Sequence, residues 1–318
     1  MSEEIKELAK ILKESDNIVF FGGAGVSTES NIPDFRSSNG LWNEKLKINF
    51  TPEQLVSHTF FVRYPEEFFE FYKDKLIYPD AKPNDAHKVL AELEKMGKLK
   101  AVVTQNIDGL HQAAGSKVVY ELHGSVLRNY CMNCGKKFNI EYIASQEGVP
   151  HCDKCGGIVR PDIVLYEENL EHENVDNAIK AVKKCDLMII AGTSLTVYPA
   201  ATFAQFLKHD RIVIINKSST YMDLKALLTI HDNVGEVLDK VVPKRVSRKT
   251  STSKTGAKKT ASKKTTSKKT TSKTTSSKAA SKTASKTASK AAPKKETTKK
   301  PSAKKPAASK AKKDESKS

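Results

Sequence analysis

The chain has 318 residues, with 54 Lys plus Arg against 37 Asp plus Glu, and its net charge of +17 invites a nucleic-acid reading. That charge is confined: residues 244–318 hold 26 Lys plus Arg against 3 Asp plus Glu, or +23, which leaves 28 against 34, or −6, for residues 1–243. No run approaches the roughly 18 to 20 consecutive apolar residues of a membrane span, and the opening MSEEIKELAK lacks a signal peptide's apolar region, so a soluble cytosolic protein is expected.

In residues 2–15, Ile5, Leu8, Ile11 and Leu12 share one helical face and predict an amphipathic helix. A buried strand follows at 18–21 and runs into Gly22, Gly23 and Gly25, which remove side chains where a backbone has to approach a phosphate. On these glycines alone a nucleotide loop and an ordinary turn are equally good readings. A dinucleotide fingerprint wants a third glycine where Thr28 stands. The aromatic segment 51–78 reads as short helices opening at Pro52 and Pro65, mostly the core of a helical subdomain, with a minority lining an apolar channel. Residues 85–96 form a helix stopped by Gly97, and it feeds a strand at 101–104 with Gln105, Asn106 and Asp108 at its carboxyl end. A strand at 118–122 ends in His123-Gly124. After the cysteine region the pattern resumes at 162–165, then come a helix over 175–184, a strand over 186–191, a helix near 200–207 and a strand over 211–216. Uniformly apolar strands alternating with helices predict a Rossmann-like parallel sheet covered on both faces, its strand ends converging on one crevice.

From residue 244 onward the chain is almost only Lys, Ser, Thr and Ala, with Pro293, Pro301 and Pro306 and no aromatic residue. Such a composition cannot bury enough apolar area to offset ordering, so a disordered basic tail is expected.

Five cysteines fit a reducing compartment. Cys131-x-x-Cys134 and Cys152-x-x-Cys155 stand 17 residues apart, each pair followed by a glycine, which is zinc-ribbon spacing. Four thiolates fill a tetrahedral site and leave no place for water, so the zinc is structural. His151 is a substitute ligand that four cysteines do not need. Cys185, ahead of an apolar strand, reads as structural.

The opening loop, Thr104-Gln105-Asn106-Ile107-Asp108-Gly109, Glu121-Leu122-His123-Gly124-Ser125, the two cysteine pairs and Gly192-Thr193-Ser194 together resemble the sirtuins, the NAD-dependent protein deacylases. The resemblance covers about residues 1–243, and the run from Val159 to Glu168 is similar to the bacterial branch. Many relatives carry Phe-Gly-Glu where this chain has Tyr166-Glu167-Glu168, and Gly where it has Asn31. The resemblance implies a Rossmann-like NAD domain and a smaller one, from about 41–84 and 126–160, built on the zinc module and a helical insertion. Acyl-lysine peptide enters the cleft between them.

By the same resemblance His123 is the general base on the cofactor's ribose hydroxyls, work suited to a pKa near neutrality. The acetyl oxygen attacks the anomeric carbon, nicotinamide leaves, and an alkylamidate resolves to deacetylated lysine and O-acetyl-ADP-ribose. Asn106 and Asp108 line the nicotinamide side, with Ile107 between them, and Gln105 reaches the ribose. Ala24, Gly25 and Thr28 face the phosphates, whereas Asp34, Phe35 and Arg36 belong to a mobile cofactor loop in which Phe35 shields the reacting ribose. Gly192, Thr193 and Ser194 are expected on the phosphate and ribose side, Asn216 at the adenosine ribose and Ile230 near the adenine. Desuccinylating relatives carry Tyr-x-x-Arg after the cofactor loop. Here Arg63 has no Tyr three residues before it, so an apolar acyl pocket is expected.

The tail's charge predicts salt-sensitive, sequence-independent nucleic-acid binding that tethers the deacetylase near acylated proteins. Two other functions stay open: transfer of ADP-ribose to protein, and a nucleoid-associated DNA-binding protein whose sirtuin domain senses NAD.

Overall fold

The computed structural model describes residues 2–37, 40–41 and 50–242. The expected disordered tail over 244–318 lies outside them. Ser2 caps α1 (Glu3–Glu14), whose buried residues are the four on the expected face. β1 (Ile18–Gly22) is buried at every position. The aromatic segment folds as α2 (Pro52–Leu55), α3 (His58–Arg63) and α4 (Pro65–Lys75), with Pro52 and Pro65 in first turns. α5 (Asp85–Lys95) is capped by Asn84, whose Oδ1 accepts the Ala86 and His87 N–H groups, and it is followed by Gly97 at φ 75°.

β2 (Leu99–Thr104), α6 (Leu110–Ala114), β3 (Val119–Glu121), β4 (Gly124–Cys131), β5 (Lys137–Phe138), α7 (Ile140–Ser145) and β6 (Val159–Ile163) come next. The chain closes with α8 (His172–Lys184), β7 (Leu187–Ala191), β8 (Ile212–Ile215), β9 (Leu228–Ile230) and α9 (Val234–Val241). β4, β5, β9, α6, α7 and α9 are additions to the elements that periodicity marks out.

Six strands form one parallel sheet in the order β3-β2-β1-β7-β8-β9. This is the doubly wound order, and the winding reverses between β1 and β7, where such sheets bind ligands beyond the strand carboxyl ends. Phe20 packs with α1, α5 and α9 on one face, while Val19 and Phe21 pack with α8 and residues 200–206 on the other. Burial on both faces explains the unbroken apolar strands.

Two expectations need correction. The segment resuming near 162 does not join the parallel sheet: β6 pairs antiparallel with β4, through Cys131↔Val159 and Gly124↔Ile163, in a separate sheet ordered β5-β4-β6. A short apolar run returning from a zinc knuckle reads the same as a parallel strand until its partner is known. The stretch near 200–207 buries Ala200, Ala201, Phe203 and Ala204, yet winds as a 3₁₀ helix over Ala200–Phe206 and not as an α-helix. The three-stranded sheet, the aromatic helices and α7 enclose a third core that includes Phe61, Phe68, Phe69, Tyr72, Cys131 and Cys152.

Candidate active site

At the switch point the β1 and β7 loops pack backbone to backbone. Gly25 N–H donates to the Gly192 carbonyl at 2.8 Å, and a Cβ on Gly25 would stand 2.8 Å from the Gly192 Cα. Gly192, at φ 58°, has room for no Cβ, which would lie 2.4 Å from the Val26 nitrogen. These two glycines thus let the loops meet each other, a requirement that exists before any phosphate arrives. Asn31 takes the left-handed conformation, φ 62° and ψ 25°, the geometry in which asparagine most readily stands in for glycine.

The loops open onto a cleft of about 880 Å³. Its polar end is lined by Ala24, Gly25, Thr28, Thr193, Ser194 and Asn216, and its apolar side by Val56, Leu76, Ile107, Ile163 and Leu165. Asp34, Phe35, Arg36, Gln105, Asn106, Gly192 and His123 also line it. Asp34 accepts the Arg36 and Ser37 N–H groups at 3.1 and 2.8 Å, so its carboxylate shapes the loop. Phe35 packs against the third core.

Two expected residues do not reach the cleft wall. Ile230 is buried in the sheet core, and Asp232, Asn233 and Val234 line the cleft at that end. Asp108 sits one layer back: it accepts the Ser27 hydroxyl at 2.7 Å and the Leu110 N–H at 2.8 Å, while Asn106 Nδ2 donates to Ser27 Oγ at 3.0 Å. Buried Ser27 thereby joins Asn106 to Asp108, a link that no spacing in the sequence announces.

His123 is half-buried, and its Nδ1 lies 2.9 Å from the Gln105 carbonyl oxygen. A carbonyl only accepts, so Nδ1 carries the proton and Nε2 presents a lone pair. Burial lowers the His123 pKa; the bond to Gln105 opposes this without cancelling it.

The four cysteine Sγ atoms of Cys131, Cys134, Cys152 and Cys155 all lie within 4.8 Å of one another, and none is in a disulfide. That spacing fits one tetrahedral zinc, whose Zn–S bonds of about 2.3 Å set sulfurs just under 4 Å apart. Each pair forms the same turn: Gly135 N–H donates to the Cys131 carbonyl and Gly156 N–H to that of Cys152, both at 2.9 Å, with both glycines at positive φ. His151 is outside this set, its Nδ1 donating to the Gly156 carbonyl at 3.0 Å. Burial pushes the Cys185 thiol up to about 12, consistent with an inert structural residue.

A family model described as the Sir2 family matches residues 23–199. The chain belongs to the Sir2 family. An NAD-dependent protein deacetylase of Clostridium perfringens (strain 13 / Type A) is 64% identical over 243 residues, 76% of this chain and 100% of its own length. That of Cutibacterium acnes (strain DSM 16379 / KPA171202) is 49% identical over 236 residues, 74% of this chain and 96% of its own. Among solved structures, a complex of Sir2 with p53 peptide and NAD+ is 41% identical at a TM-score of 0.65, covering 76% of this chain and 97% of that one. The Sir2 family match ends at Pro199, and the similarity to the clostridial deacetylase extends beyond it over 243 residues.

Proposed function

We propose that the protein is an NAD-dependent protein lysine deacetylase that converts acetyl-lysine to lysine with release of nicotinamide and O-acetyl-ADP-ribose. The carrying observation is His123, its Nδ1 proton committed to the Gln105 carbonyl and its ring lining a cleft that is polar at one end and apolar on one side. The polar end suits a dinucleotide: Gly25, Thr28, Thr193 and Ser194 bind phosphates and Asn216 the adenosine ribose. Gln105 and Asn106 orient the nicotinamide ribose, with Asp108 steadying Asn106 through Ser27. NAD, when bound, supplies an activated glycosidic bond to nicotinamide.

Val56, Leu76, Ile163 and Leu165 offer an apolar wall for the methylenes and acyl group of the lysine. Arg63 is not among the lining residues, which supports a preference for acetyl over succinyl. Phe35 excludes water from the reacting centre. His123 takes a proton from a ribose hydroxyl. Its lowered pKa keeps it in the neutral, proton-accepting form at neutral pH.

Nicotinamide release, measured with and without an acetyl-lysine peptide on wild type and His123→Ala, tests this reading. Peptide-dependent release in wild type, with steady-state turnover to O-acetyl-ADP-ribose falling by about 10² to 10⁴ in the variant, supports it. Release without peptide, or labelled ADP-ribose retained on protein, overturns it.

The finer proposal is that residues 244–318 hold this cytoplasmic enzyme on nucleic acid, in the manner of a nucleoid-associated protein, since 26 cations against 3 anions favour counterion release. DNA retention at low salt that survives deletion of 244–318 would exclude it.

A further inference from the structure

Residues 164–168 line the cleft and are fastened to residues 56–59 at three consecutive positions. Tyr166 N–H donates to the Val56 carbonyl at 2.9 Å, and His58 N–H to the Tyr166 carbonyl at 3.0 Å. Glu168 reaches His58 Nδ1 at 2.8 Å and accepts both Arg160 Nη atoms, at 2.8 and 3.0 Å. Burial pushes the Glu168 carboxyl up, but Arg160, the Leu165 N–H and His58 together hold it down at about 2. This carboxylate therefore stays ionised.

Glu167 is the unusual member. Its φ is 74°, a left-handed conformation that glycine adopts freely and other residues adopt at a cost. What offsets that cost is visible: Glu167 Oε2 accepts the Thr59 N–H at 2.9 Å and the Thr59 hydroxyl at 2.6 Å. Thr59 is the second residue of α3, so its N–H has no partner inside the helix. An outlier held by two charge-assisted bonds beside a cleft points to a positioned segment.

We propose that Glu167 is a positioning residue of the acyl-peptide site: by gripping Thr59, it fixes residues 164–168 as the wall on which the peptide lies. This rests on the deacetylase reading, because the apolar side of the cleft, formed in part by Ile163 and Leu165, is where a lysine side chain finds its match. Among the described residues Glu167 hydrogen-bonds to Thr59 and not to His123 or the glycine loops, so its influence falls on peptide affinity and not on chemistry or NAD. Glutamine keeps the two acceptor bonds. Glycine removes them while relieving the backbone.

The test is steady-state kinetics and direct titration with one acetyl-lysine peptide on wild type, Glu167→Gly, Glu167→Gln and Thr59→Val. Glu167→Gly is expected to raise the peptide KM and Kd by about tenfold, with kcat and the NAD KM within about twofold. Glu167→Gln should lie within about twofold to threefold of wild type, and Thr59→Val should fall between, with the Glu167→Gly/Thr59→Val double variant no worse than Glu167→Gly. An unchanged peptide Kd in Glu167→Gly, or equal losses in peptide and NAD affinity, overturns the proposal. A wild-type enzyme inactive on acetyl-lysine peptide overturns the deacetylase reading, and this proposal with it. If Glu167→Gly does not fold, Thr59→Val decides: a peptide Kd equal to wild type overturns the proposal.

Discussion

The parallel sheet and the zinc-side core border the same cleft, but different physics holds each together. β1 is buried at all five positions and hydrogen-bonded to parallel partners on both sides, and mainly aliphatic side chains, with Phe20 on one face and Phe21 and Phe203 on the other, cover both faces. Such a sheet needs nothing beyond its own chain. The zinc-side sheet is three strands, one of them only two residues long, and its core is aromatic: Phe61, Phe68, Phe69 and Tyr72 meet with ring centroids 5.0 to 6.3 Å apart. Cys131 and Cys152 lie inside that core, so the metal site is continuous with its packing. One side of the cleft is set by backbone geometry and the other by a cross-link.

Removing the cross-link is the strongest way to break this comparison. Zinc sites of this kind release about 10 to 16 kcal/mol on binding metal in small peptides, as much as a typical domain's whole net stability. Cys134→Ser with Cys155→Ser, or prolonged chelation, is expected to abolish zinc content, acetyl-lysine peptide binding and the near-ultraviolet signal of the aromatic core. The far-ultraviolet signal of the parallel sheet and its helices should largely persist. Loss of both signals together would show that the two regions form one cooperative unit.

A smaller effect probes the sheet side alone. His87 and His111 are fully buried between α5 and α6, their rings 4.7 Å apart, with Phe20 of β1 6.0 Å from His111. Burial lowers His87 to about 4, against a raising contribution from Asp108, and lowers His111 well below its usual value, helped by His87. Both are depressed in the folded state, so the unfolded chain binds more protons below about pH 6.5. Their stabilising contribution is complete above that pH and is lost as pH falls toward 4. Urea midpoints between pH 7 and 4.5 should fall, and His87→Gln should flatten the slope. A slope unchanged by that substitution would assign acid sensitivity elsewhere.

The same contrast explains what could be read from the sequence. Strands such as 18–21 and 186–191 are visible because burial on both faces leaves an unbroken apolar run, and the cysteine pairs because a tetrahedral site fixes their spacing. β4 was hidden: it begins at Gly124 with two buried residues, turns outward at Leu127 and Arg128, and carries a register shift between Ser125 and Asn129. No simple period survives that. Glu167 and Ser27 were hidden for another reason, since their roles lie in hydrogen bonds to residues 108 and 81 positions away. Family resemblance supplied His123, whose environment a lone strand-end histidine does not disclose.

The smallest effect concerns the β1 loop, where Asn31 stands at φ 62° beside the cleft. Asn31→Gly removes the left-handed penalty but adds freedom to the unfolded chain, and these two terms are similar in size. The melting midpoint should therefore shift by less than the equivalent of about 0.5 kcal/mol. Asn31→Ala keeps the penalty and loses asparagine's tolerance for that region, so a loss of about 1 kcal/mol is expected. If the loop's backbone is as fixed as the Gly25–Gly192 contact suggests, NAD affinity follows the same order, with glycine near wild type and alanine weaker. Equal behaviour of glycine and alanine would mean that the loop relaxes around position 31, and that its geometry is set by the bound dinucleotide instead of by the protein.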